Sequence, residues 1–429
     1  MSSTLTNNTR KTSPLFWLGS FFDQILPTLT FLTAIGTFSR FGIDFLAWLS
    51  VYAISAYQIL NNFPKFRDAL ITSWLILLVP LLTLVSTFWS AAPGHTFVMS
   101  LQFLYTTIIG LWLGAAYCPQ RIFLAVCLAT AFGVTASVLN GWLQIISAYS
   151  SYDGYFIGIF AQKNILGRVL VLLSLSLFVV GIRLKHPFTA AFLVMLLWIP
   201  LSAVESATSL IMFLLVLTLP VVWLILTGTD WLRLVVIFAA VGAVLFLTAV
   251  FSVTDVDLIG KILDKLGKDS TLTGRTYLWS VGLKIFEWKP LFGIGFDAFW
   301  HAGIFAEARH IFATYGQAIN GFHNTYIEVL VSLGLFGAAI FIVTMVAVLY
   351  RLSAWLISTR SIESLGALFF ASIVMVMSLV EIIGFRNHDV SHILLVTFFV
   401  LAHRKLLESH ARQNDGSSHA REPNVQNRV

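Results

Sequence analysis

Charge is what this 429-residue chain has least of. Only 11% of its residues are Asp, Glu, Lys or Arg, against roughly 25% in a soluble domain. With 58% hydrophobic residues and a mean hydropathy of +0.87, there is too little polar side chain to cover a soluble core. Soluble globular, disordered and collagen-like chains are thereby excluded. Cysteine is scarce as well: Cys118 and Cys127, both in apolar runs, exclude a disulfide scaffold and a Cys-rich metal site. Basic clusters interleaved with exposed aromatics are lacking, so the net charge of +6 reads as membrane topology and not as a nucleic-acid surface. No repeat of 20–50 residues recurs, and GIG at 293–295 lacks the strand and turn of a nucleotide site. What remains is an all-α, polytopic membrane protein.

Apolar runs that can cross a bilayer fall at 15–38, 43–60, 70–88, 97–117, 122–146, 160–181, 188–203, 208–227, 231–251, 324–350, 362–384 and 390–403. This predicts about twelve transmembrane helices. Arg10 and Lys11 precede the first run as in a secretory signal. The run is too long for one and lacks a small-x-small cleavage site, so it reads as a retained span. With the N-terminus inside, fifteen Lys and Arg fall in inner segments, four in short outer ones and seven in one long outer segment, 252–322. That bias predicts both termini in the cytoplasm. Residues 1–14 read as a cytoplasmic tail, 15–403 as the membrane domain, and the polar stretch 404–429 as a disordered cytoplasmic tail.

The outer segment 252–322, between the ninth and tenth spans, is too long to be structureless inside a compact bundle. LIGKILDKLGK, residues 258–268, has the pattern of an interfacial amphipathic helix. A second helix is predicted over 274–288, with Thr271 or Thr273 as its cap and Pro290 beyond its end. A third is predicted over 297–315. Together they form a helical lid on the outer face.

Ionisable groups at membrane depth are costly and are functional by default. Four clusters meet that description. Lys163, Asn164 and Arg168 open the sixth span on its outer side, and Gly167 would leave room beside the lysine for a large group; the alternative is a lysine that snorkels to the interface. Arg275 stands in the first turn of the loop helix, where a guanidinium opposes the helix dipole but free backbone N–H groups favour an anion such as pyrophosphate. His323 and Asn324 stand at the mouth of the tenth span; histidine can take a proton near neutral pH, or can simply cap a helix. Arg386, His388, Asp389 and His392 follow the eleventh span. The two histidines have i,i+4 spacing, but no third ligand is fixed, so no metal is expected; Arg386 instead suits the binding of an anionic substrate. Glu205, Glu328 and Glu381 also lie in or near spans, with Glu328 spaced to orient Asn324.

Cations and one histidine thus collect on the outer face, with no nucleotide motif inside and no cofactor motif anywhere. A reaction there cannot count on ATP or a sugar nucleotide. Its donor must arrive activated and lipid-linked, and a polyprenyl pyrophosphate sugar fits: arginine and lysine hold the pyrophosphate, and histidine takes the acceptor proton.

The segments GIFAQKNILGR (158–168), SATSL (206–210), TGRTYLW (273–279), LFGIGFDAFW (291–300) and HNTYIEVLVSLGLFG (323–337) resemble the O-antigen ligase and polysaccharide polymerase superfamily of bacterial membrane glycosyltransferases. The spacing from His323 to Gly334 is the most specific signal. TGRTYLW and GIGFDAFW look more like the exopolysaccharide-polymerase branch. The resemblance implies a twelve-span protein of the bacterial inner membrane that transfers glycan from an undecaprenyl-pyrophosphate donor at the periplasmic face, without a metal. Polymerases extend a glycan acceptor with exopolysaccharide or O-antigen repeat units; ligases use lipid A core as acceptor. It also implies that His323 is the catalytic base or the group that activates the acceptor, that Arg275 contacts pyrophosphate or sugar, and that Lys163 or Arg168 binds the donor. Membrane lipids and a chain-length regulator or flippase are the partners to expect. One departure is that many ligases have Ser-Arg where this chain reads Glu205-Ser206-Ala207-Thr208, which leaves one cation unaccounted for. The rival class is a lipid-linked glycan transporter, but that calls for broken helices in corresponding positions of two halves, and the unusual charges here crowd one face.

Overall fold

A computed structural model describes residues 14–151, 154–229, 275–301, 305–315 and 321–419. Among these there are helices and no strand; an isolated bridge pairs Tyr149 with Phe156. The helices are α1 (Pro14–Ala34), α2 (Asp44–Asn61), α3 (Phe63–Thr72), α4 (Leu78–Val85), α5 (Pro93–Ala116), α6 (Pro119–Leu143), α7 (Lys163–Arg183), α8 (Pro187–Leu196), α9 (Trp198–Val204), α10 (Ala207–Val216), α11 (Leu219–Thr227), α12 (Arg275–Trp288), α13 (Ala306–Tyr315), α14 (Thr325–Thr359), α15 (Ile362–Met377) and α16 (Val390–His419). Proline opens α5, α6 and α8, where its missing N–H costs nothing. Ser206, Asn324 and Ser361 cap α10, α14 and α15 through their side chains, satisfying donors the helix leaves open.

Among the described residues, seven helical stretches are long and apolar enough to cross a membrane, or eight if the bent pair Phe63–Thr72 and Trp74–Trp89 counts as one span. The exposed residues fit that reading: Phe88 is 90% and Phe188 88% exposed, which lipid tolerates and water does not. The main core lies between α5, α6, α7, α15 and α16, with Leu113, Phe123, Leu170, Phe370 and Phe399 buried in it. Gly110 and Gly114 bring α5 against Val396 and Val400 of α16, a small-residue contact typical of helices in lipid. The predicted ninth span at 231–251, the amphipathic helix at 258–268 and the capping threonines lie outside the described residues.

Four expectations change. The run at 70–88 is not one straight span: the chain bends by 84° between α3 and the helix from Trp74. Arg351 of α14 donates to the Thr72 carbonyl at 2.9 Å, replacing a helix bond lost at the bend. The run at 362–384 is helical only to Met377, and residues 378–389 fold across one end of the bundle. The helix expected over 297–315 shrinks to α13, because Gly295 and Asp297 have positive φ and residues 294–296 bond elsewhere. α16 runs past residue 403, where a tail was expected, to His419. Arg404 secures that extension by donating to the Gly114 and Tyr117 carbonyls at 2.6 and 3.0 Å.

α14 is broken at Gly334, whose φ of 66° and ψ of −164° are not helical. An unbroken helix would bond the carbonyls of Val331 and Ser332 to the N–H groups of Leu335 and Phe336. Here the carbonyls accept from Ile294 and Gly295, both at 3.0 Å, while the N–H groups donate to Pro290 and Leu291 at 2.8 and 3.1 Å. The loop segment 290–295 therefore fills the break and satisfies both halves of it. Its far side is held by the turn before α5: Ala91 N–H donates to the Ile294 carbonyl at 2.9 Å, and Phe296 N–H to Ser86 Oγ at 3.1 Å. Phe296 then packs on Phe103 and Phe385. The outer loop has a small core of its own, built on Leu278, Ile285, Phe299, Ile311 and Phe322.

A side chain at position 334 would strike the backbone of Leu291, and the positive φ adds strain. Gly334→Ala is expected to destabilise the fold by about 2 kcal/mol or more, read as a lower apparent unfolding midpoint in detergent. Gly94→Ala, with open space around it, should leave the midpoint unchanged.

Candidate active site

Residues 378–389 bring Glu381 to one end of the bundle, where it is 6% exposed. Three of the side chains singled out in the sequence converge on it. Arg275, at the start of α12, donates from Nη2 to Oε1 at 2.8 Å. Asn164, in the first turn of α7, donates from Nδ2 to the same oxygen at 3.1 Å. His323 donates from Nδ1 to Oε2 at 3.3 Å, which leaves Nε2 as the basic nitrogen. The Arg275 and Glu381 side chains are both nearly buried. Burial alone would raise the Glu381 pKa. The hydrogen bond and charge of His323, with the charges of Arg275 and Arg168, outweigh it and hold the carboxyl below its ordinary range.

The chain builds this meeting point locally. His323 has a φ of 50°, a left-handed turn that must be held in place. Glu328, one turn into α14, does so: its Oε2 accepts from Phe322 N–H at 3.1 Å and its Oε1 from Trp300 Nε1 at 2.9 Å. Trp279 of α12 donates to the Phe322 carbonyl at 3.0 Å. Glu328 thus supports the histidine turn, and does not orient Asn324. Asn324 itself is spent on structure: Oδ1 accepts from Ile327 N–H at 3.1 Å and Nδ2 donates to the Leu379 carbonyl at 3.0 Å. Thr325 donates to the Glu381 carbonyl at 3.0 Å, tying the start of α14 to the segment that carries the carboxylate.

Ser206 donates to Asn164 Oδ1 at 3.2 Å, so the position after Glu205 supports the site through an amide instead of supplying a cation. Gly167 does not leave room for a ligand: Ser209 of α10 fills the space beside it. Lys163 is not gathered onto Glu381; its ammonium lies 3.3 Å from the centre of the Tyr155 ring. His388 and His392 do not form a pair. His388 Nε2 is hydrogen-bonded to the Tyr52 hydroxyl, and His392 Nε2 to Thr107 at 2.8 Å. Asp389 accepts from the N–H groups of Ser391 and His392 at 2.6 and 3.0 Å and caps α16.

Beside Glu381 opens a cavity of about 220 Å³. Its deep walls are apolar, from Val169, Leu172 and Leu175 of α7 and Phe370 and Val374 of α15. Its polar lining comes from Arg168 of α7 and from Arg386, Asn387, His388, Asp389 and Ser391. Two guanidinium groups over an apolar slot suit an anion attached to a hydrocarbon chain. Among the described residues no group of three His, Cys, Asp or Glu side chains is placed to hold a metal ion.

Sequence comparison agrees with the resemblance. A family model described as O-antigen ligase matches residues 190–342. The chain is 29% identical over 374 residues to the exopolysaccharide production protein ExoQ of Rhizobium meliloti (strain 1021), a match covering 83% of this chain and 82% of that protein. Both findings fit the superfamily, and the second fits its exopolysaccharide branch.

Glu381→Ala would leave the Arg275 guanidinium buried without its carboxylate. A loss of about 3–5 kcal/mol is expected, seen as a lower apparent unfolding midpoint. Combining Arg275→Met with Glu381→Leu should recover part of that loss; a double variant no better than Glu381→Ala would mean the pair is not what the packing depends on.

Proposed function

We propose that the protein is a metal-independent glycosyltransferase of the bacterial inner membrane. It joins undecaprenyl-pyrophosphate-linked repeat units into exopolysaccharide or O-antigen at the periplasmic face. The observation that carries this reading is the Arg275–Glu381–His323 cluster next to an apolar cavity lined by Arg168 and Arg386. The twelve-span topology with both termini in the cytoplasm, inferred from the apolar runs and the Lys and Arg bias, turns this end of the bundle outward.

The donor's pyrophosphate is held by Arg168 and Arg386, with its polyprenyl chain along the walls from α7 and α15. The acceptor hydroxyl attacks the anomeric carbon of the donor sugar. As the new glycosidic bond forms, the bond to pyrophosphate breaks and the leaving oxygen keeps the electron pair. The hydroxyl proton passes to His323 Nε2. Glu381 accepts the Nδ1 proton as a hydrogen bond, fixes the tautomer and stabilises the imidazolium, the role an orienting carboxylate has in a triad. The arginines meet the charge growing on the pyrophosphate, the part a metal ion plays elsewhere. Polymerisation is favoured over transfer to lipid A core by the similarity to the exopolysaccharide production protein and by the stretch 205–208, which has no arginine where many ligases have Ser-Arg.

Reconstitution with lipid-pyrophosphate repeat units, with and without lipid A core, tests this directly. A ladder formed without core supports polymerisation. A single shift that requires core makes the protein a ligase, and no product from folded protein points to transport. His323→Ala is expected to lower turnover by about 10²–10⁴-fold with donor binding unchanged; normal turnover at equal protein level would remove histidine from the mechanism.

A further inference from the structure

His388 lines the cavity beside Arg386, yet the reaction above does not use it. The imidazole is clamped. Its ring stacks on the Trp48 indole at 4.0 Å between centroids and 16° between planes. Its backbone has a φ of 62°, and its N–H donates to Thr106 Oγ1 at 3.1 Å. Tyr52, hydrogen-bonded to Nε2, is steadied in turn by the Tyr105 hydroxyl, which donates to the Tyr52 carbonyl at 3.0 Å. A phenol that donates into Nε2 puts the imidazole proton on Nδ1. With Nε2 engaged by Tyr52, Nδ1 is the ring nitrogen left for a ligand, and it carries the proton when the phenol is the donor. Burial pushes the His388 pKa down to about 4, so the ring is neutral near neutral pH. The neighbouring Asp389 also lines the cavity; its Oδ1 accepts from the N–H groups of Ser391 and His392 at the start of α16, which partly offset its charge.

We propose that His388 is a donor-binding residue: its Nδ1–H donates to a pyrophosphate oxygen of the lipid-linked donor, alongside Arg168 and Arg386. This rests on the reading that the cavity holds the donor. A neutral, clamped donor supplies direction without a third positive charge. It fixes the orientation of the pyrophosphate while leaving the spent carrier less tightly held than a third arginine would. The titratable and charged groups around the ring are Tyr52 and Tyr105 from α2 and α5, Arg168 from α7, and Arg386 and Asp389 from its own segment.

The test measures undecaprenyl pyrophosphate binding to the full chain in nanodiscs, comparing wild type with His388→Phe, His388→Asn, Arg168→Gln and Arg386→Gln. Phenylalanine keeps the stack on Trp48 and removes the N–H. Asparagine keeps an N–H near the Nδ1 position and tolerates the positive φ. Loss of one hydrogen bond to a charged group predicts about tenfold weaker binding for His388→Phe, with His388→Asn within about threefold of wild type. The ratio of wild-type to His388→Phe affinity should stay flat between about pH 5.5 and 8, because a neutral ring does not titrate there.

If His388→Phe binds like wild type while the arginine variants weaken, the cavity reading stands and the role of His388 falls. If none of these variants weakens binding, the cavity reading falls too. A ratio that climbs as pH drops, or a His388→Asn variant as weak as His388→Phe, would overturn the neutral-donor assignment. Should His388→Phe fail to fold, Tyr52→Phe takes its place: releasing Nε2 should weaken binding about two- to threefold, and unchanged affinity would count against the proposal.

Discussion

A carboxylate buried among apolar helices must be surrounded by donors, and Glu381 draws them from three separate parts of the chain. One comes from the loop helix α12, one from the turn before α14 and one from α7; Ser206 on α10 supports the last of them. Satisfying this one group fixes how the outer loop, the histidine turn and the membrane bundle sit relative to each other. In the proposed mechanism the same contacts set the chemistry, because the oxygen that steadies His323 Nδ1 is what leaves Nε2 available as a base. Structure and reactivity here rest on a single desolvated charge.

The second constraint is the peptide backbone itself. A broken helix in lipid must find partners for the groups it frees, and α14 finds them in residues 290–295 of the loop. The break therefore couples the loop, which carries Arg275 at one end, to the half-helix that begins just after His323. Two independent ties, one of charge and one of main chain, hold the same two pieces together. That redundancy suits a site whose groups must stay within a fraction of an ångström of their working positions.

Much of this was legible in the sequence. Length and apolar periodicity mark most of the helices, and polar or charged residues at the ends of apolar runs and in the long loop mark Arg275, His323, Asn164 and Arg168. Glu381 was visible as a lone carboxylate in SLVEIIGF, but the apolar pattern around it reads as a span. Only the early end of α15 at Met377 reveals that the segment turns back over the site. Hydropathy cannot register such a turn, because buried loop and buried helix have the same composition. Asn324 and Lys163 show the opposite failing: a polar residue beside a site looks the same in sequence whether it binds a ligand, caps a helix or lies on an aromatic ring. The bend at α3 and the insertion at Gly334 were invisible for a related reason, since both depend on which distant backbone satisfies which carbonyl.

The insertion at Gly334 also bears on how freely this region can vary in sequence. Its four bonds are all made by peptide groups, so they do not depend on the identity of the side chains that flank them. Leu291, Phe292, Leu335 and Phe336 point outward and are half exposed or more, free to drift among apolar residues as the surrounding lipid allows. The two glycines have no such latitude: a side chain at 293 would strike the Ser332–Leu333 backbone, and one at 334 the Leu291–Phe292 backbone. A region that carries few functional side chains can thus be rigid in form and loose in wording, with its whole specification concentrated in two absent methyl groups.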